Sequence, residues 1–493
     1  MNDIWYDVGI MRKSGILLHP TSLPGEWGIG DLGEWAYRFV DFLVESGQQL
    51  WQILPLGPTG SGYSPYQAYS SIAGNPLLIS LRGLADQGWL SSENLQQAPN
   101  FAASIVDFQA VIPVKMELIR KAAGNFFARQ NDPLRPEFLD FCSRNKSWLE
   151  PFAEFASLKE ANDGAAWTDW RNTCAEPHEA LNQQFIQFVF FRQWDALKRY
   201  CRECGIEIMG DMPIFVAHDS CDVWANPELF DLDDKGHPRT IAGVPPDYFS
   251  NTGQCWGNPL YRWDVMERTG YGWWIQRVQS MLNMVDIVRL DHFRGFEKYW
   301  EIPAGSKTAV SGRWVEGPGD RIFAALFKAV GRLPFVAEDL GYITPEVHQL
   351  RDRWGFPGMR VLQFAFGDQS PDNPHKPYNF IPNCVAYTGT HDNDTTAGWF
   401  SSAQSRSERK SALKYLASDG NDAVWDFIRL VLSSVAGTAI VPMQDILGLG
   451  SGARMNTPAS TKNNWRWRMR EDQLSPILAS KLREMNSIYG RGK

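Results

Sequence analysis

MVDIVRLDHFRG, residues 284–295, carries the pattern that decides the fold. A short apolar run rich in β-branched residues (Val285, Ile287, Val288, Leu290) ends abruptly in charged residues and a glycine. A strand buried on both faces reads this way. Seven other stretches repeat the design: GILLHP (15–20), LWQILPLG (50–57), IEIMGDMPIF (206–215), PFVAEDLG (334–341), MRVLQFAFG (359–367), CVAYTGTHDN (384–393) and TAIVPMQDILG (438–448). Helical patterns lie between several of them. Residues 33–46 place Trp35, Phe39, Phe42 and Leu43 at helical spacing and stop at Gly47. Residues 181–204 do the same with Leu181, Phe185, Phe188, Trp194 and Leu197, and stop at Gly205. Eight strand–helix repeats predict an α/β fold, a (β/α)8 TIM barrel. A doubly wound open sheet is the competing layout; the count of eight and the positions of the polar motifs favour the barrel.

Two long gaps do not fit a bare barrel. The reading assigns 1–81 to the first part of the barrel and 82–180 to an inserted, mainly helical subdomain with helix-like stretches such as 113–128. It assigns 181–493 to the rest of the barrel, with a smaller Gly- and Pro-containing insertion near 296–333. Composition narrows the function. Lys+Arg is 48 against Asp+Glu 56, a net charge of −8 with no basic stripe, which argues against a nucleic-acid partner. No run approaches the ~18 apolar residues of a membrane span, and the first residues show no signal peptide. Seven cysteines in 493 residues are too few and too odd for a disulfide framework, and point to reduced thiols in a cytoplasmic enzyme. Aromatic residues are plentiful, with 21 Trp, 15 Tyr and 28 Phe. Flat rings with polar edges suit a sugar, whose C–H faces stack on indoles, although an aromatic-rich core would give the same count.

In a barrel the chemistry sits at the C-terminal strand ends. The fourth run closes with Arg289, Asp291, His292 and Arg294, the fifth with Glu338 and Asp339, and the seventh with His391, Asp392, Asn393 and Asp394. The third closes with Asp211 and the eighth with Gln444 and Asp445. Strand alternation points Arg289 and Asp291 to the same side, so the guanidinium is expected to hold Asp291 ionised, as a nucleophile requires. Glu338 follows Pro334, Phe335, Val336 and Ala337, an apolar approach that raises its pKa and suits a general acid. Two carboxylates with opposite demands are the arrangement for glycosidic bond cleavage, with Asp392 a third beside the oxocarbenium-like transition state.

Other signals are weaker. Gly28, Gly30 and Gly33 match a dinucleotide G-x-G-x-x-G, but Pro20 and Pro24 separate them from the strand and 48–56 (QQLWQILPL) carries no acid. Cys201-x-x-Cys204 lacks a second ligand pair, and His218, His237 and His292 lack helical ligand spacing, so no metal is expected. A lone calcium among loop carboxylates stays open.

The motifs taken together carry a resemblance. They are SGILLHPTSLPGEWGIGDLG (14–33), QILPLGPTGSGYSPYQ (52–67), GDMPIFVAHDSCDVW (210–224), GVPPDYFSNTGQCWGNPLY (243–261), RLDHFRG (289–295), AEDLG (337–341), TGTHDND (388–394), RMNTP and NNWRWR (454–468). This set resembles the amylomaltase or 4-α-glucanotransferase family, glycoside hydrolase family 77 of the α-amylase superfamily. The likeness covers nearly the whole chain apart from the helical insertion. By that resemblance Asp291 is the nucleophile, Glu338 the general acid/base and Asp392 the transition-state stabiliser. Arg289, His391, Asp211, Ser64 and Tyr66 line the sugar at the cleavage point, and Asn456 is a further contact. Residues 243–259 resemble a mobile aromatic loop on the acceptor side, with Tyr248, Phe249 and Trp256 as platforms and Asp247 and Gln254 as polar contacts.

The resemblance implies retaining transfer of a 1,4-α-glucan segment to the 4-OH of glucose or another glucan, with no cofactor. It implies a role in maltooligosaccharide, starch or glycogen metabolism, and a monomer or weak homo-oligomer. A glucan-binding protein without turnover and an amylase-type hydrolase are the rival readings.

Overall fold

The computed structural model describes residues 12–96, 98–246, 250–402, 405–460 and 462–492. Each of the eight apolar runs supplies one strand: β1 (Lys13–Leu17), β2 (Leu50–Gln52), β3 (Glu207–Pro213), β4 (Ile287–Asp291), β5 (Phe335–Ala337), β6 (Gly358–Val361), β7 (Cys384–Tyr387) and β8 (Thr438–Pro442). They close into a barrel in chain order, and every pairing is parallel. The fold is therefore a (β/α)8 TIM barrel, and all eight C-terminal ends open on one mouth. Burial on both faces explains the near-continuous apolar runs: Val288, Leu290, Val336, Ala337, Val385, Ala386, Ala439 and Ile440 are all buried.

The strands are shorter than the runs that announced them. The chain leaves the sheet as soon as its polar residues begin, so Glu338, His391 and Asp392 stand just beyond strand ends. The segment expected as a helix over 33–46 is Glu34–Glu45, and 181–204 lies within Pro177–Glu203. Gly47 (φ 70°) and Gly205 (φ 73°) close them in the left-handed region that glycine tolerates best.

Between β2 and β3 the chain forms helices Phe108–Ala128, Arg135–Arg144 and Lys146–Ala161 before Pro177–Glu203. The first starts five residues ahead of Pro113, the start that the sequence pattern predicts, because Phe108 and Val111 are buried with Ile29, Leu77 and Val106. Ile119, Phe126, Phe138 and Phe185 belong to the same hydrophobic cluster as the barrel strands. Lys115, fully buried, donates to the Leu77 carbonyl at 2.8 Å and faces Asp31 at 3.7 Å.

A four-stranded antiparallel sheet stands apart from the barrel sheet, in the order Gln254–Pro259, Thr240–Val244, Lys298–Pro303, Arg313–Glu316. Segments read separately as a loop near 243–259 and an insertion near 296–333 are thus one unit: Gly243 is paired with Cys255 on one side and Trp300 on the other. Pairing across so many residues leaves no local periodic signature. At Gly30 a Cβ would meet the Pro20 carbonyl at 2.1 Å, so this glycine serves close packing of the β1 loop on itself. All seven cysteines are unpaired. Among the described residues no helix is long and apolar enough to cross a membrane.

Candidate active site

The register of β3 on β4 sets Asp211 beside Arg289. Arg289 uses one nitrogen, Nη1, for two acids, donating to Asp211 Oδ2 at 2.7 Å and to Asp291 Oδ1 at 3.0 Å. The Tyr66 hydroxyl donates to the same Asp211 oxygen at 2.8 Å. The Asp211 side chain is sealed from solvent, whereas that of Asp291 keeps 28 % of its surface. Of these two acids, Asp291 is therefore the one a ligand entering the mouth can touch.

Leu290 and Ala337 are register partners, so Asp291 and Glu338 follow one another on adjacent strands. Both Glu338 oxygens accept from backbone: Oε2 from His292 N–H at 2.7 Å and Oε1 from Leu340 N–H at 3.0 Å. The next residue turns away. Asp339 binds Arg351, Arg360 and the Met359 N–H, and fastens β5 to its neighbours. Asp445 is likewise absorbed by Thr388 and Thr396. Strand alternation thus divides the strand-end acids into those that face the mouth and those that hold the scaffold.

Asp392 completes the mouth from the loop after β7. Asn456 Nδ2 donates to Asp392 Oδ1 at 2.6 Å, and Arg454 donates to the Asp392 carbonyl at 2.6 Å. His391, buried, lies 3.4 Å from the same carboxylate oxygen through Nε2. Its ring stacks on Tyr66, with centroids 5.2 Å apart, and Trp465 leans on both rings. Ser64 is tied to this wall through Tyr66, its hydroxyl accepting from the Tyr66 N–H at 3.3 Å. On the opposite side Trp256 packs edge-on to His292 at 4.8 Å and donates from Nε1 to Gln254 at 3.1 Å. Asp247, Tyr248 and Phe249 lie outside the described residues.

Charge and burial compete here. Burial raises Glu338 to about 8, with the Asp291 charge adding to it and Arg289 and the two N–H groups opposing. Burial also raises Asp211, to about 7, against the pull of Arg289. Asp291 is raised as well: burial outweighs Arg289, and the Asp392 charge adds to it. This differs from the expectation that the guanidinium would govern Asp291, because a charge pair cannot fully offset removal from water. His391 is lowered by burial and therefore neutral at neutral pH. The set can thus offer a protonated acid, an open carboxylate held by a cation, and a third carboxylate fixed by an amide. Among the described residues no three His, Cys, Asp or Glu side chains group so as to hold a metal.

A family model described as 4-alpha-glucanotransferase matches residues 18–474. The chain belongs to that family. A 4-alpha-glucanotransferase of Synechocystis is 50 % identical over 497 residues, 97 % of this chain and 98 % of the relative. One of Thermus thermophilus is 48 % identical over 495 residues, 96 % of this chain and 98 % of its own. The solved amylomaltase of Streptococcus agalactiae in complex with acarbose superposes with a TM-score of 0.94 at 39 % identity, covering 98 % of this chain and all of that one. The family relationship makes the chain a glucan-transferring enzyme.

Two residues at this mouth, Trp465 and His292, carry no signal in the sequence that marks their place here. Trp465, at φ 64°, was visible only inside the NNWRWR motif. His292 matters through its backbone: at φ 53° it donates its N–H to Glu338 at 2.7 Å.

Proposed function

We propose that this 4-α-glucanotransferase works by a retaining double displacement on Asp291, Glu338 and Asp392. Asp291 attacks the anomeric carbon of a bound 1,4-α-glucan while Glu338 gives its proton to the departing 4-oxygen. The bond between that oxygen and the anomeric carbon breaks, and a glycosyl ester forms on Asp291. Glu338, now ionised, takes the proton of an incoming 4-OH, which displaces the ester and restores the acid. Asp392, held by Asn456, faces the positive charge that develops on the ring. Arg289 keeps Asp291 placed, and Asp211, Tyr66, Ser64 and His391 shape the sugar pocket. Gln254, Trp256 and the segment carrying Asp247, Tyr248 and Phe249 receive the acceptor and exclude water, which favours transfer over hydrolysis.

The observation that carries this reading is the juxtaposition of two neighbouring strand-end acids: Glu338, buried and raised to about 8, and Asp291, open to the mouth and bound to Arg289 at 3.0 Å. We further propose maltooligosaccharides and other 1,4-α-glucans as donors, with glucose or a glucan as acceptor, for starch or glycogen metabolism in the cytoplasm. The enzyme works without a cofactor, as a monomer or weak homo-oligomer. Maltotriose as sole substrate tests this. A ladder of longer glucans is expected, and glucose and maltose alone would mean hydrolysis. Asp291→Asn is expected to lose activity by about 10³-fold or more while still binding maltooligosaccharide.

A further inference from the structure

Barrel interiors are ordinarily filled by layers of branched aliphatic side chains. Below the site this chain departs from that rule. Gln52, the last residue of β2, pairs with Met209, two residues before Asp211 on β3, so it stands one layer beneath Asp211. Tyr387, the last residue of β7, is paired with Ile440 on β8. Both are fully buried. The Tyr387 hydroxyl lies against the Gln52 amide and within electrostatic reach of Arg289 and Asp211. Yet among the described residues the Tyr387 hydroxyl, Gln52 Oε1 and Asp211 Oδ1 have no well-formed hydrogen-bond partner.

Two polar side chains buried in a barrel interior cost stability that an aliphatic layer would not. Packing therefore does not account for these two residues. Arg289 offers a reason. Its Nη1 is shared between Asp211 and Asp291, and among the described residues its Nε meets only the Met359 sulfur, at 3.4 Å. A thioether is a weak acceptor and does not fix the guanidinium. A small shift of that group would change how its charge is divided between the two acids.

We propose that Gln52 and Tyr387 are positioning residues: their dipoles form a polar floor in the barrel that sets where Arg289 sits between Asp211 and Asp291. This rests on the reading of Asp291 as nucleophile. Asp291 is faced by Arg289 on its own strand, Asp211 on β3, Tyr66 from the loop after β2, Glu338 beyond β5, and His391 and Asp392 beyond β7. Of these, Arg289 alone is a permanent cation, so losing its aim is expected to leave Asp291 harder to ionise.

The test is steady-state transfer from maltotriose by Tyr387→Phe and Gln52→Met, with pH profiles and melting curves. We expect kcat to fall about tenfold or more with KM within about threefold, since orientation rather than binding is lost. The acid limb of kcat/KM moves up by about half a pH unit. The melting temperature stays the same or rises. Parental kcat and an unmoved acid limb in a folded variant would overturn the proposal. Should Tyr387→Phe fail to fold, Gln52→Met is read by the same criteria. Asp291→Asn separates this proposal from the reading beneath it. Near-parental activity there sinks the assignment of the nucleophile, whereas an inactive Asp291→Asn beside fully active floor variants sinks only the floor.

Discussion

Glu338 accepts a 2.7 Å hydrogen bond from the backbone N–H of His292, the residue after Asp291. The acid on one strand is therefore tied to the strand that carries its neighbouring carboxylate, and the tie is backbone, not a mobile side chain. His292 adopts φ 53°, an uncommon conformation for a residue with a Cβ, and this bend aims the N–H at Glu338. The N–H pulls the Glu338 pKa down, but burial pushes harder, and the net value is about 8.

That balance makes Glu338→Gln informative. The folded pKa of Glu338 is raised from 4.5 to about 8. Between those values the folded protein keeps a proton that the unfolded chain has released, so stability falls as pH rises through the window. Below it both states are protonated and nothing is lost. Glu338→Gln is expected to cost about 10³-fold in transfer, yet to melt above the parent at pH 8 with the gap closing toward pH 4. Melting curves across that range check it, and a parent whose stability is flat from pH 4 to 8 contradicts it. The parental kcat/KM should decline as pH passes about 8.

Asn456→Ala removes the amide that holds Asp392 at 2.6 Å. The carboxylate remains but loses its aim. We expect kcat to fall by about 10- to 100-fold with a small change in KM, measured on maltotriose. An unchanged kcat would show that His391 alone orients Asp392.

Trp256→Ala removes a ring held against His292 and Gln254, on what we propose is the acceptor side. Loss of one stacking face is worth about 1 kcal/mol, roughly fivefold in acceptor KM. Glucose released by hydrolysis should rise relative to the ladder of transfer products. A parental product ratio would remove Trp256 from the acceptor site.

Lys115→Met tests the scaffold apart from the chemistry. Lys115 is fully buried against Asp31, whose side chain keeps 15 % of its surface, and its removal leaves that half-buried acid without its cation. Urea denaturation should show a loss of about 3–5 kcal/mol. Adding Asp31→Asn should recover much of it, and kcat of the folded enzyme should stay near parental. A single variant as stable as the parent would show that the Lys115–Asp31 pair does not hold the scaffold.

The sequence by itself determined the eight strands, because burial on both faces and breakers at the ends are local properties. It also determined that Asp291, Glu338 and Asp392 stand at one mouth, since a parallel barrel gathers every C-terminal strand end. Only the tertiary structure decided which strand-end acids serve the scaffold: Glu338 and Asp339 are neighbours in the chain, yet one faces the mouth and the other binds Arg351. It alone joined Thr240–Val244 to Lys298–Pro303 in one sheet, and buried Gln52 and Tyr387 in the barrel. It also turned the balance at Asp291, where spacing suggested a dominant guanidinium and burial proved stronger. Pattern along a chain reports what each residue is next to in sequence; desolvation and shared hydrogen bonds depend on what the fold brings from elsewhere, and no period encodes that.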